Sequence, residues 1–138
     1  MNEKQTILNF IKNKKLTVIS TINKNNKPES SVVAFSETNN LEIIFGTLNI
    51  TRKYANLQNN KSVSLVIGWD EENITVQYEG YAIEAKHEEH DICRDIHLKK
   101  NPSSKKYAYD DKQRYFKITP KWVRYSNLSK GDIFEIKI

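Results

Sequence analysis

Cysteine occurs once, at Cys93, so no disulfide can form within the chain. A lone thiol fits a reducing compartment, and a cytoplasmic protein is expected. Long apolar runs are also missing. Stretches such as "SVVAF", "IIF" and "VSLVI" fall far short of the about 20 residues that a membrane-crossing helix needs. The N-terminal "MNEKQTILNFIKNKK" holds acids and amides where a signal peptide has an unbroken apolar stretch, so none is expected. Glycine is scarce, at 4 residues, and no Gly-rich phosphate loop is present. There is no Ser-His-Asp order, and the adjacent carboxylates Glu88 and Glu89 diverge on a helix, so the sequence makes no case for hydrolysis. Internal repeats and low-complexity tracts are absent as well.

What is present reads as one globular domain over residues 1–138. Hydrophobic residues make up 38% and charged residues 28%, a balance well outside the disordered regime. The net charge of +5 and pI near 9.2 admit an acidic partner. Lysines are nevertheless spread along the chain and interleaved with acids, in doublets no longer than Lys14-Lys15, Lys99-Lys100 and Lys105-Lys106. Without a basic stripe or an RNP-like aromatic motif, a nucleic-acid binder is the poorest of the readings considered.

Ile7, Leu8, Phe10 and Ile11 recur at helical spacing, which predicts an amphipathic N-terminal helix. The period then changes. Residues 16–22, 30–35, 41–45, 62–68 and 74–85 are rich in β-branched and aromatic side chains, and short polar turns separate most of them. Short turns mean hairpins, and hairpins mean antiparallel pairing. Residues 87–98 read as helix, 99–113 as a polar loop, and "YFKITPKWVRYSN" and "DIFEIKI" as closing strands. The expected fold is mainly β (α+β): a small or half-open antiparallel β-barrel of about six strands with flanking helices.

One stretch carries chemistry. In "FGTLNITRKYANLQNN", residues 45–60, a strand ends near Phe45 and a helix begins near Thr51. A helix start exposes unpaired N–H groups and the positive end of the helix dipole. Thr51 can cap it, while Arg52 and Lys53 stand at the end where the dipole disfavours cations. Hydroxyl, guanidinium, ammonium and N–H groups together suit a phosphate. The plainer reading is a capped helix followed by two solvated cations.

Phe45, Thr47, Thr51, Arg52, Lys53, Leu57 and Asn60 resemble the phosphate segment of the pyridoxamine 5'-phosphate oxidase-like FMN-binding split barrels, and Trp69, Glu79 and Gly80 resemble the strand, turn and strand that follow it in that family. "KPESSVVAF" sits where that family places a proline and the strand lining the flavin. The likeness is good over roughly residues 7–85 and looser beyond. It implies FMN as cofactor, with Thr51, Arg52 and Lys53 on the phosphate, Thr47 beside the flavin or ribityl chain, and the backbone of Val32 and Val33 along the ring. Gln77 stands two residues past the position where the family's flavin-contacting glutamine falls, which Thr75 occupies, and shares its face. Trp122 and Arg124 lie on a late strand of the kind that approaches the other subunit's flavin, so a homodimer with an interfacial site is implied. The implied function is a flavin-dependent oxidoreductase; the alternative is a non-catalytic flavin- or haem-binding or sensing module.

Two departures argue against vitamin B6 oxidation itself. Ser31 and Ser36 stand where the B6 oxidases carry an arginine and a lysine, and the Arg-x-His element of those enzymes is missing from "SKGDIFEIKI". His87, His90, Cys93 and His97 form a separate cluster. His90, Cys93 and His97 would share a helix face, but their spacing matches no zinc module, so packing is the expected role and no metal is assigned.

Overall fold

Alternation of side chains sets the sheet. In the strand Ser62–Gly68 the residues Val63, Leu65 and Ile67 are buried while Ser62, Ser64 and Val66 face outward, and in Ile74–Glu84 the residues Val76, Tyr78 and Ala82 are buried while Gln77, Glu79 and Tyr81 face outward. That is the period of a half-buried strand. The computed structural model describes residues 1–70 and 72–138. Its elements are α1 (Glu3–Lys12), β1 (Leu16–Ile22), β2 (Pro28–Ala34), β3 (Ser36–Glu37), β4 (Ile43–Leu48), α2 (Arg52–Asn59), β5 (Ser62–Gly68), β6 (Ile74–Glu84), α3 (Glu88–Lys100), α4 (Lys105–Ala108), β7 (Gln113–Asn127) and β8 (Asp132–Lys137), with a 3-10 turn at Pro102–Ser104.

All strand pairs are antiparallel, in the order β2-β1-β5-β6-β7-β4-β3, with β8 added to β7. Strands β2 and β3 are nearly one strand interrupted at Phe35. The first part pairs with β1 from Pro28 to Ala34, and the second pairs with β4 through Ser36 and Glu37. The sheet thus has eight strands where about six were expected, because the chain breaks one long strand into β2 and β3 and adds β8 on β7. Between the two pairings the sheet is open: β2 passes β4 without a ladder. This seam is the split, and it positions the site described below.

The inner faces and α1 enclose the main core, which includes Ile7, Ile11, Ile19, Phe35, Phe45, Leu65, Tyr78 and Phe116. Asn2 caps α1 by accepting from Gln5 N at 2.8 Å, and Phe10 meets Tyr125 edge-on at 6.2 Å. A smaller cluster of Ile44, Ala85, Cys93 and Tyr115 seats α3 on the outside of the sheet. Among the described residues no helix is long and apolar enough to cross a membrane.

Several boundaries differ from the sequence expectation. Strand β4 runs through Thr47 to Leu48 rather than stopping near Phe45, because Gly46, Thr47 and Leu48 continue the ladder against Tyr115, Arg114 and Gln113. The hairpin expected between residues 30–35 and 41–45 is made by β3 instead of β2. The polar loop after α3 contains the 3-10 turn and α4.

The register shifts between Glu79 and Gly80 of β6, which face Trp122 and Pro120, so Lys121 is the extra residue and β7 carries the bulge. A Cβ on Gly80 would stand 2.2 Å from the Thr119 carbonyl oxygen, and backbone cannot yield as a side-chain tip can. Gly80→Ala is therefore expected to destabilise the fold by about 1–3 kcal/mol, read as a lower urea midpoint; an unchanged midpoint would contradict the packing described.

Candidate functional site

Two adjoining cavities lie along the seam. The first, of about 320 Å³, is lined by Thr21 of β1, Glu29, Ser30 and Ser31 of β2, and Thr51, Arg52 and Lys53. The second, of about 260 Å³, is lined by Val32, Val33 and Ala34 of β2, Gly46, Thr47 and Leu48 of β4, and His97, Ser104, Tyr107 and Gln113. Ser31 and Val32 are consecutive, and the Thr47 and Thr51 hydroxyls lie 2.9 Å apart, so the cavities meet along β2 and across that hydroxyl pair. The floor of the second comes close at Gly46, where a Cβ would fall 2.3 Å from Gln113 Nε2 and 2.9 Å from Tyr115 Cε1.

The chain folds this way at the first cavity because Thr51 starts α2. Its backbone is extended, its hydroxyl accepts from Tyr54 N at 3.1 Å, and its carbonyl accepts from Ala55 N at 3.2 Å, which is N-cap geometry. Among the described residues the N–H groups of Arg52 and Lys53 find no protein acceptor. They are the orphan donors of a helix start, and the dipole adds positive potential there.

Arg52 is largely exposed and lies 3.3 Å from Glu29 Oε2. Lys53 is half-buried, and desolvation lowers its pKa from 10.5. Glu29 is held below the usual carboxylate range, first by hydrogen bonds from Asn23 and Asn56 and then by the charge of Arg52. The first cavity therefore combines two cations, one fixed acid, hydroxyls and unpaired N–H groups, a donor set that suits a phosphate monoester.

The sequence-derived residues divide into two groups. Val32, Val33, Thr47, Thr51, Arg52 and Lys53 come together at the seam, with Val32 outward and Val33 packed toward the core. Gln77, Trp122 and Arg124 do not join them. Cross-strand register runs from Val32 to Val18, Val66, Gln77 and Arg124, so Gln77 stands three strands away, about 15 Å, on the outer face of the sheet. Trp122 Nε1 and Arg124 Nη1 both donate to Glu135 Oε2, at 3.2 and 3.4 Å.

Of the two serine departures, Ser31 lines the first cavity, whereas Ser36 is buried, with its hydroxyl 3.3 Å from His97 Nδ1. The seam also holds residues that sequence reading passed over: Glu29, Thr21, Gln113, Ser104 and Tyr107. Strand register brings Glu29, Thr21 and Gln113 there, and the 3-10 turn and α4 bring Ser104 and Tyr107.

The helix α3 cluster packs. His90 and His97 lie against the Tyr115 ring, at 5.2 and 6.0 Å between centroids. Burial lowers the His97 pKa to about 4 and raises the Cys93 thiol to about 11. His87 begins the helix in a left-handed conformation, with φ 55°. Among the described residues no three of His, Cys, Asp and Glu converge on a metal position.

A family model for pyridoxamine 5'-phosphate oxidase matches residues 4–127. No curated protein matches the sequence. Among solved structures, general stress protein 26 from Bacillus anthracis str. Sterne is similar with a TM-score of 0.79 at 21% identity, over 99% of this chain and 100% of that one. A haem-binding protein from Mycobacterium smegmatis gives 0.82 at 17% identity, and the match covers 98% of this chain and 56% of that protein. A Clostridium acetobutylicum protein related to general stress protein 26, of the pyridoxinephosphate oxidase family, gives 0.77 at 14% identity, over 98% and 94% of the two chains. At these identities the solved structures speak for the fold alone. The family model spans nearly the whole chain, and with the split barrel it shows that this chain belongs to the pyridoxamine 5'-phosphate oxidase family.

Proposed function

We propose that this chain, as one split-barrel domain, binds FMN and serves as a flavin-dependent oxidoreductase in a homodimer. The observation that carries the reading is the pair of cavities at the seam: an anion-binding end at Thr51, Arg52 and Lys53, joined to a slot along the free edge of β2. A flat, largely apolar ring wants a strand edge with unpaired N–H and C=O groups and apolar side chains beside it. Val32, Val33 and Ala34 offer that edge, Thr47 stands at the junction, and Gly46 leaves the floor without a side chain. When bound, FMN supplies reversible electron transfer, while the residues of this chain bind it, orient it and fix its register. The cytoplasm remains the compartment in which we place it.

Oxidation of a B6 phosphate is not the proposed reaction. Ser31 brings no charge to the seam and Ser36 is turned into the protein, so neither supplies the cation that the B6 oxidases have at those positions. A haem-holding or sensing role is the second reading, favoured by the fold shared with the Mycobacterium smegmatis haem-binding protein. It finds less support in the side chains: His97 lines the second cavity, but its Nδ1 lies 3.3 Å from the Ser36 hydroxyl and its ring packs on Tyr115.

The homodimer reading rests on the outer face. Val18, Val32 and Val66 are cross-strand neighbours and are 40%, 62% and 44% exposed, an apolar row of the kind that association covers. Gln77 and Arg124 continue the same row. A two-fold copy seated there would bring Gln77 of the partner subunit toward the ring slot, which explains why residues implied in one site lie about 15 Å apart in one chain.

Two outcomes test this reading. Replacing Arg52 and Lys53 together by Ala removes two charge-assisted contacts, each worth about 1.5–3 kcal/mol, and should weaken FMN binding by at least about a hundredfold. Riboflavin, lacking the phosphate, should respond to neither change; unaltered FMN affinity in calorimetric titration would sink the phosphate assignment. Val66→Glu should turn the dimer into a monomer in sedimentation velocity and lose flavin with it, and a surviving dimer would place the interface on another face.

A separate outcome concerns the charge on Lys53 in the flavin-free protein. Its folded-state pKa lies below the unfolded 10.5, so between the two values the unfolded chain binds more protons and stability rises with pH. Lys53→Met should therefore raise the melting temperature of the flavin-free protein at pH 7, and that gain should shrink as pH climbs toward 10.5. A pH-independent difference would mean that burial does not strain this cation.

A further inference from the structure

The anion end of the seam contains one acid, and it is built in. The Glu29 carboxylate is held from three sides: Asn56 Nδ2 of α2 donates to Oε1 at 2.8 Å, Asn23 Nδ2 of the turn after β1 donates to Oε2 at 3.0 Å, and Arg52 Nη1 stands 3.3 Å from Oε2. Asn56 is itself buried, and its amide also donates to Thr21 Oγ1 at 2.9 Å. The amide cannot turn from the carboxylate without giving up both bonds. Asn23 is committed too, its side-chain oxygen accepting from the N–H groups of Asn25 and Lys27 at 2.9 and 3.0 Å.

A surface ion pair needs none of this. Two long side chains meeting in water pair loosely and gain little, whereas Glu29 is fixed by neutral amides whether or not Arg52 is near. Its charge therefore stays in the cavity. Around it stand Arg52 and Lys53 from α2, Thr21 from β1, and Ser30 and Ser31 from β2; Thr21, Ser30 and Ser31 add no charge, and the Ser30 hydroxyl is turned to that of Ser20 at 2.7 Å. The formal charge of the lining is thus +1, from two cations and one acid. A phosphate monoester, carrying about −1.5 to −2 at neutral pH, enters beside a like charge that cannot move away, and it must compete with that charge for Arg52.

Resting on the FMN-phosphate reading, we propose that Glu29 is a fixed counter-ion that limits how firmly the pocket holds a phosphate monoester, so that FMN exchanges rather than remaining permanently bound. The carboxylate stands in for the phosphate when the pocket holds no ligand, keeping Arg52 near its working position. The same carboxylate opposes the phosphate when it arrives. The ligand class is set by the same balance: a flavin monophosphate is held tightly enough to dock and loosely enough to leave.

The test is a fluorescence titration of the full-length protein with FMN and with riboflavin, together with the FMN dissociation rate, for the parent and for Glu29→Gln. Gln keeps the length of the side chain and an acceptor for one of the two amides while removing the charge. FMN should bind at least about tenfold more tightly and leave correspondingly more slowly, while riboflavin binding stays as in the parent. Glu29→Ser, which removes the charge with a smaller side chain, should move FMN affinity in the same direction and guards against a folding defect in the first variant. Unchanged or weaker FMN binding in both folded variants overturns the proposal and makes Glu29 an orienting partner of Arg52. If Arg52 and Lys53 together prove dispensable for FMN, the phosphate reading itself has failed. If they prove essential while neither Glu29 variant tightens binding, only the counter-ion proposal has failed.

Discussion

A strand that pairs on one side only presents a row of unsatisfied N–H and C=O groups on the other, and β2 is the strand whose open edge lines the seam. Its partner is β1 alone, because the chain reaches β4 only after Phe35, where β3 begins. The two cavities of the candidate site are arranged along that open edge. The core fixes it from within through Ile19, Phe35 and Phe45, and α2 closes over one end of it with Leu57 buried beneath. The barrel is split because β2 and β3 are assigned to different neighbours, and the split creates the slot.

Electrostatics then give the slot a direction. One end carries the start of α2 with Thr51, Arg52 and Lys53, and the other carries valines, Gly46 and uncharged polar groups. A ligand with a charged tail and a flat apolar head has one way to lie in it. The positive end is tempered from within the same fold: burial disfavours the Lys53 charge and Glu29 offsets that of Arg52. Elsewhere several lysines are held in separate ion pairs, Lys14 with Asp70 and Glu72, Lys100 with Glu37, and Lys117 with Glu89.

How much of this was legible in the sequence follows from the range of the signals. Alternation and helix-start chemistry are local, so the strands, the N-terminal helix and the Thr51 cap could be read directly, and the ordered residues from Phe45 to Gly80 pointed to the family. The extension of β4 past Phe45 was missed because "GTL" looks like loop until Gln113, Arg114 and Tyr115 arrive to pair with it. The separation of Gln77, Trp122 and Arg124 from the phosphate end is likewise a matter of sheet order, which no short window encodes. Glu29 carried no signal at all: it is an acid after a proline at the start of a strand, and only the approach of Asn56 and Arg52 makes it part of the site. His97 was noticed as a member of a possible ligand set, yet packing against Tyr115 is what places it at the slot.

The central claim is that the seam is a directional flavin slot, and a crystal structure of the protein grown with FMN tests it most directly. The account predicts the phosphate among Thr51, Arg52 and Lys53, the ribityl chain passing Thr47, and the ring edge along Val32 and Val33 with Gln77 of the partner subunit nearby. A flavin bound with its phosphate outside that pocket, or a protein that takes up haem and refuses FMN under the same conditions, would contradict it.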